Sequence, residues 1–494
     1  MAEYLHGAYG QIQAVGSRVS SGSKCAFVYI GTAPVHLAEG GGNTVNQPVL
    51  VADMAEARRK LGYSDDFASF TLCEAMKAHF DRNAVGPLVF INVLDPKRHV
   101  KTESATKSLT PESGSVTIQE AEKIVLDSVE VKKGQTKLEK GKDYTLKYSI
   151  EKKSLTIHEA ASGSLGSEAL SISYKTVDPS MVTKEDVIGA SDGYGLNTGV
   201  YAVKNVYQVT GYIPSFLAAP GFSCIPEVHK AMAENSVKIN GHYDAYMLVD
   251  IPIFHNEEAV SMATAAAWKK ENGYNRENET VYFPMVSGND GKKYHISTLA
   301  AANLQALLAT QDGIPYRTAS NTECSVIENL YLGEESTGRV FDDTLINNVL
   351  NKNGIASAAF VGGRWAIWGA HSADYDQENA DSINVAETNR MMLYYITNDF
   401  QVRRNADVDK PMTANDLQSI VAEEQARLDA LLKIGALLYG EVHKNVQEDD
   451  RSDIVKGDFS ITFRVTTTPL AKSLTAVANW TEEGFVTYFE SFRN

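Results

Sequence analysis

A break in composition constrains the fold of this chain more than any other feature. Between Lys101 and Asp186 there is no Arg, Asn, Phe, Trp or Cys, while Lys, Glu, Ser and Thr dominate. On both sides of that stretch, apolar strands alternate with amphipathic helical segments. A single continuous layer has no reason to suspend five residue types over such a length, so the stretch reads as a separate module set into a larger body. Four runs inside it alternate in polarity: KIVLDSVEV, DYTLKYSIE, KSLTIHE and ALSISYK. In the second, Tyr144, Leu146, Tyr148 and Ile150 fall on one face and Thr145, Lys147 and Ser149 on the other. This is the period of a half-solvated antiparallel strand. A small antiparallel β domain is therefore expected over residues 100–186, its polar faces suiting a module that stands out from the body.

The flanks read as an α/β layer. CAFVYIGTAP is a buried strand, and PVLVADMAEARRKLG is a strand followed by a helix with Asp53 as N-cap and Gly62 as C-cap. FTLCEAMKAHFDR places Leu72, Met76, His79 and Phe80 on one helical face, and LVFINVL follows Gly86-Pro87 as a strand. Beyond Gly189 come the strand IPSFLAAPGFS, the helix IPEVHKAMAENSVKIN and the strand YDAYMLVDIPI. A helix is expected to begin near Glu257, then the strand VYFPMVSG and the helix HISTLAAANLQALLATQD. This βαβ succession predicts a mixed or parallel sheet covered by helices. Near the C-terminus, TANDLQSIVAEEQARLDALLKIGALLYGEV offers Thr413 and Asn415 as caps and spaces Leu417, Val421, Leu428, Leu431 and Leu438 as one long amphipathic helix. GDFSITFRVTTT then sets Phe459, Ile461, Phe463 and Val465 on one side of a strand, and GFVTYFESF ends the chain as a strand whose edge nothing covers.

The expected fold class is thus multidomain, α/β and α+β: an α/β core with a mixed sheet, an inserted antiparallel β domain, and a C-terminal α+β domain. The expected boundaries are an arm over 1–22, the α/β domain over 23–99 and 187–380, the insert over 100–186, the C-terminal domain over 381–479, and a terminal strand over 480–494.

Charge and motifs narrow the function. A formal charge of −16 opposes binding to a phosphate backbone, and no stretch reaches the length of about 20 apolar residues that a membrane span requires. The chain reads as a cytoplasmic product, with no nucleic acid and no membrane insertion. Cys25, Cys73, Cys224 and Cys324 lie far apart without ligand spacing, and His229, His242 and His255 fall on different elements, so no metal site is expected. Gly189-Ala190-Ser191-Asp192-Gly193 matches a nucleophile elbow but lacks its strand and helix flanks. Gly193, Gly195 and Gly199 are mis-spaced for a dinucleotide fingerprint, and Asp250 ends an apolar strand with no phosphate-binding loop in the chain. Trp365 and Trp368 read as core strand. No catalytic residue and no cofactor is expected.

The order of segments resembles the contractile tail sheath family. The resemblance rests on the arm from Gly7 to Ile12, the strand Phe27 to Pro34, PVLVADMAEARRKLG, PLVFINVLDP, the insert's GKDYTLKY and LSISYK, and the late GRWAIWGAHSADYD, in which His371-Ser372 stands where such proteins often carry Arg-Thr. It implies a homo-oligomer of hexameric rings stacked around an inner tail tube protein, with baseplate and tail terminator or collar proteins as further partners. It implies assembly in the bacterial host cytoplasm, followed by release as part of a particle tail. It also implies that terminal arms cross between subunits to complete a neighbour's C-terminal sheet, which makes Tyr4, Tyr9, Ile12, Phe459, Ile461, Phe463, Val465, Phe485, Tyr488 and Phe489 the expected linking residues. The competing readings are an α/β enzyme or small-molecule-binding protein with a β insert, and a tube or baseplate protein of the same kind of particle.

Overall fold

In the computed structural model the described residues are 24–38, 44–161, 163–255, 258–333, 338–378, 383–444, 451–490 and 492. They form two compact units that divide between Pro411 and Met412.

The first unit is organised by an eight-stranded sheet. Its strands are β1 (Cys25–Gly31), β2 (Pro48–Val51), β3 (Leu88–Asn92), β4 (Ile213–Ala218), β5 (Tyr246–Asp250), β6 (Glu279–Tyr282), β7 (Ile355–Val361) and β8 (Arg364–Trp368). Their spatial order is β2-β3-β1-β4-β5-β6-β7-β8. The strands from β3 to β7 run parallel, and β2 and β8 close the two edges antiparallel, so the sheet is mixed as expected. A parallel centre must be covered on both faces. Helices supply the cover: α1 (Met54–Leu61), α2 (Leu72–Met76, continued as a π-helical turn to Arg82), α3 (Pro226–Glu234), α4 (Ala265–Glu271), α5 (Ile296–Ala309) and α6 (Glu387–Arg404). Asp53 caps α1 by accepting from the Glu56 amide at 2.8 Å, and Gly62 ends it at a φ of 74°.

Several boundaries differ from the sequence reading. The helix expected near Glu257 begins at Ala265, because Ser261 and Thr264 form a capping turn in which the Ser261 amide donates to Thr264 Oγ1. VYFPMVSG is two strands. Pro284 has no N–H to offer a ladder, and the chain leaves the main sheet there to pair Met285–Gly288 with Lys293–His295 and Ile327–Tyr331. Helix α6 belongs with the first unit: buried Glu387 accepts from Thr280 and Thr318 hydroxyls, each at 2.6 Å, and Asn398 bonds both backbone groups of Asp244.

Within this unit, residues 105–174 form a four-stranded and a three-stranded antiparallel sheet. They enclose a core of their own, built from Val116, Ile118, Val131, Tyr144, Leu155, Ile157, Leu170 and Ile172. Tyr144 is buried, and Thr145 and Lys147 on the opposite face are exposed. Glu122 helps tie this module to the body, accepting from Ser64 Oγ at 2.5 Å while its carbonyl meets His36 Nε2 at 2.8 Å, and Val125 and Ile150 pack against the main core.

Helix α5 is apolar on nearly every side and buried along most of its length. Its first amides cannot reach water and need internal acceptors. Glu74 of α2 takes the His295 amide at 2.6 Å and His295 Nδ1 at 2.8 Å, and Asp250 at the end of β5 takes the Ser297 amide at 3.2 Å and its hydroxyl at 2.5 Å. Burial lowers the basicity of His295, but the charge and hydrogen bond of Glu74, with Asp250 adding to them, more than reverse this and raise its pKa to about 9. Burial lifts Asp250 to about 6 against the pull of His295 and the Ser297 donors. Farther along α5, Gln305 Nε2 donates to the Pro87 carbonyl, so its Oε1 faces His79 Nδ1 at 2.6 Å. Burial holds His79 neutral by lowering its pKa to about 4, so the ring donates through Nδ1 and accepts from the Tyr29 hydroxyl at 2.7 Å.

Both shifts at the head of α5 have the same sign for stability. A histidine raised above its unfolded value contributes fully below about pH 6.5 and loses that contribution as pH rises through about 9. An aspartate raised to about 6 opposes folding once it ionises between about pH 4 and 6. The first unit should therefore lose stability between pH 6.5 and 9, by on the order of 2–3 kcal/mol. Chemical denaturation across that range should show the slope in the wild-type chain and a flattened slope in His295→Gln. Equal slopes in the two proteins would refute the assignment.

Candidate assembly interface

The second unit is small, and its local order begins at a capping box. Thr413 Oγ1 accepts from the Asp416 amide at 3.2 Å, and Asp416 Oδ2 accepts from the Thr413 amide at 2.8 Å, which starts α7 (Ala414–Lys433). Leu417, Leu428 and Leu431 form its buried face. The helix does not continue to Leu438 as its leucine spacing suggests. Gly435 takes a φ of 77°, its amide bonds the Leu432 carbonyl, and the chain turns into β9 (Leu437–Lys444).

Strand β9 pairs antiparallel with β10 (Ile461–Thr467), placing Gly440 opposite Val465, Val442 opposite Phe463 and Lys444 opposite Ile461. Gly440 faces α7, since a Cβ there would lie 3.1 Å from Leu428 Cβ. Residues directly opposite share a face, so Ile461, Phe463 and Val465 lie on the helix side, as their alternation predicts. Gln425 clips helix to strand: its Oε1 accepts from the Val442 amide at 2.9 Å, and its Nε2 donates to the Gly440 carbonyl at 3.1 Å. Neither Gln425 nor Gly440 was legible as important, because a lone Gln on a helix and a lone Gly in a strand carry no periodic signal. Ile461, Phe463 and Val465 remain only half-buried, and Phe459 is exposed just ahead of the strand. Among the described residues the sheet has two strands. A two-stranded sheet is marginal alone, and the single helix covers one face only in part.

After Thr467 the chain runs without regular structure to Thr481 and exposes Leu474 (91%), Val477 and Trp480 (77%). It ends in α8 (Glu483–Glu490), where the sequence reading expects a strand. The reason for the difference is local. A strand gains its hydrogen bonds only from a neighbour, whereas a helix makes its own, and Thr481 Oγ1 starts this one by accepting from the Glu483 amide. Phe485, Tyr488 and Phe489 lie on α8, all substantially exposed, and Tyr488 meets Phe492 edge to face with ring centroids 4.9 Å apart. Tyr4, Tyr9 and Ile12 lie outside the described residues.

The motifs that could carry chemistry resolve into structural roles. Ser191 follows a helix, Lys184–Ile188, rather than a strand, and its hydroxyl accepts from the Gly193 amide in an exposed hairpin. That is not the geometry of a nucleophile elbow. Asp250 is the buried cap of α5, with both carboxylate oxygens engaged by Ser297. His229 pairs with Glu279 at 2.6 Å beneath the ring of Tyr274, whereas His242 lies beside Tyr243 and His255 meets Trp268. Trp368 on β8 donates to Asn347 at 2.8 Å. Among the described residues no group of three or more His, Cys, Asp or Glu side chains is placed to hold a metal ion.

No family model matches the chain. It is 25% identical, over 506 aligned positions covering 98% of both chains, to the tail sheath protein of Burkholderia phage BcepMu. Its fold resembles a chain in the baseplate of the anti-feeding prophage, with a TM-score of 0.54 and 12% identity over 97% of this chain and 100% of that one. It resembles equally a chain of the contracted sheath complex of an extracellular contractile injection system, with a TM-score of 0.54 and 8% identity over 98% of this chain and 99% of that one. The mixed central sheet, the inserted β module and the underfilled C-terminal unit thus accompany a likeness to a phage tail sheath protein that runs the length of the chain.

Proposed function

We propose that the chain polymerises as stacked hexameric rings around an inner tube and shortens to drive that tube through a target cell envelope. The observation that carries this reading is the C-terminal unit, a two-stranded sheet with a half-buried apolar face followed by a segment rich in exposed Leu, Val, Trp and Phe. A soluble monomer has no use for that combination, and a subunit completed by its neighbours does. The segments 1–22 and 480–494 are assigned as linking arms that add to the β9–β10 sheet of adjacent subunits, with Phe459, Ile461, Phe463 and Val465 on the receiving side and Tyr4, Tyr9, Ile12, Phe485, Tyr488 and Phe489 on the donated side. Helix α8 has eight residues, below the roughly 12–15 at which an isolated helix holds in water, so exchanging it for a strand on a neighbour costs little.

Main-chain pairing suits the task. Each bond contributes about 1 kcal/mol net and tolerates any side chain, so a linked lattice survives while domain faces slide and repack. The C-terminal unit is assigned to the tube side and the β insert to the outside. Shortening is a bistable change of subunit packing, started where the sheath meets the baseplate and passed from ring to ring, with its free energy stored at assembly. Nothing in this scheme requires a catalytic group or a bound nucleotide. Assembly is assigned to the host cytoplasm, before release of the particle.

Negative-stain electron microscopy of the full-length protein with its inner tube should show long tubes; a small closed oligomer alone would favour the enzyme or binding-protein reading instead. Removing residues 480–494 should leave a folded, soluble chain that no longer polymerises. Sedimentation would settle the point, and tubes of normal length from the truncated protein would eliminate arm exchange. Replacing residues 100–186 by a short Gly/Ser bridge should keep assembly, since the insert has a separate core. Loss of all polymer from a core that still melts cooperatively would place the insert at a subunit contact.

A further inference from the structure

The hairpin that failed as a nucleophile elbow has a different use. It leaves the short helix Lys184–Ile188 and is closed by the bridge between Ser191 and Asn197. Asp192 Oδ1 accepts from the Tyr194 amide at 2.8 Å and the Leu196 amide at 3.0 Å, and the Asp192 amide donates to the Leu196 carbonyl at 3.1 Å. Asn205 Nδ2 reaches the Gly195 carbonyl at 3.5 Å, Asn197 Nδ2 donates to Asn205 Oδ1 at 2.7 Å, and Asn46 Oδ1 accepts from the Gly199 amide at 2.9 Å. Gly193 and Gly195 adopt φ values of 77° and 105° that side chains resist. The backbone is therefore braced on every side, and all of that bracing holds two apolar side chains in solvent: Tyr194 is 96% exposed and Leu196 is 68% exposed. Exposed Val209 lies one helical turn beyond Asn205, on the same side of its helix.

We infer that this hairpin is a preorganised knob that docks on a second copy of the chain. An exposed tyrosine on a braced turn loses little conformational freedom on binding, which is what makes such a residue an effective anchor. Two facts choose the occupant. Two side chains bury at most about 400 Å², well short of the roughly 800 Å² per partner that a free-standing complex needs. A contact of this size is useful where each subunit is held at many points at once, as in a polymer of identical chains. Copies carrying a charge of −16 repel one another, and the tip from Gly193 to Val203 contains no charged residue, so approach there carries the least penalty. The inference rests on the sheath reading and adds to it a contact in the first unit, separate from the terminal arms.

The test uses the full-length chain. Tyr194→Ser with Leu196→Ser should leave the melting temperature unchanged, because neither side chain packs on the fold. It should raise the subunit concentration needed for half-maximal tube formation by about tenfold or more, and Tyr194→Phe should restore assembly. A photo-crosslinker placed at position 194 should capture a peptide of another copy. Tube formation by the double variant at the wild-type concentration overturns the knob, as does crosslinking confined to the same chain or to a different protein. Intermolecular crosslinks from a wild-type chain that forms no tubes would uphold the contact between copies while defeating the sheath reading. Absence of both would defeat the two together.

Discussion

The parallel strands from β3 to β7 must be covered by helices on both faces, and that requirement produces most of what is distinctive in the first unit. It drives α5 so far into the interior that its leading amides lose contact with water. Carboxylates then have to be buried with it, and Glu74 and Asp250 fill that role with His295 between them. The raised pKa values of Asp250 and His295 are thus by-products of sealing a helix end. Asp250 sits at the C-terminal end of a parallel strand, where α/β enzymes bind ligands, yet both its carboxylate oxygens are spent on the helix.

The second unit obeys the opposite condition. Helix α7 covers only part of a two-stranded sheet, Ile461, Phe463 and Val465 stay half-buried, and the chain beyond them exposes Leu474, Val477 and Trp480. Apolar surface left open in this way is a feature of interaction sites, and it is the observation on which the proposed linkage between subunits rests.

Much of this was legible in the sequence because it follows from period and composition. The insert announced itself by the residue types it lacks, α1 by Asp53 and Gly62, α7 by Thr413, though the other cap candidate, Asn415, lies inside the helix, and β10 by strict alternation. The expected linking residues of β10 do share a face. The failures came where a distant partner decides the outcome. GFVTYFESF has the composition of a strand, but within one chain it coils into α8, whose hydrogen bonds need no neighbouring strand. The leucine spacing that carried the helix to Leu438 was overruled at Gly435, where a positive φ turns the chain.

By itself, then, the sequence determined the alternation of strands and helices, the separate β insert and the amphipathic character of α7, since each depends on contacts near in sequence or on the period of apolar residues. Only the tertiary structure decided that Asp250 and Glu74 meet the head of α5, that Gln425 and Gly440 lock α7 to β9, and that Ser191 belongs to a braced hairpin holding Tyr194 in solvent. Those outcomes depend on which residues the topology brings together across long separations, and no local period encodes that.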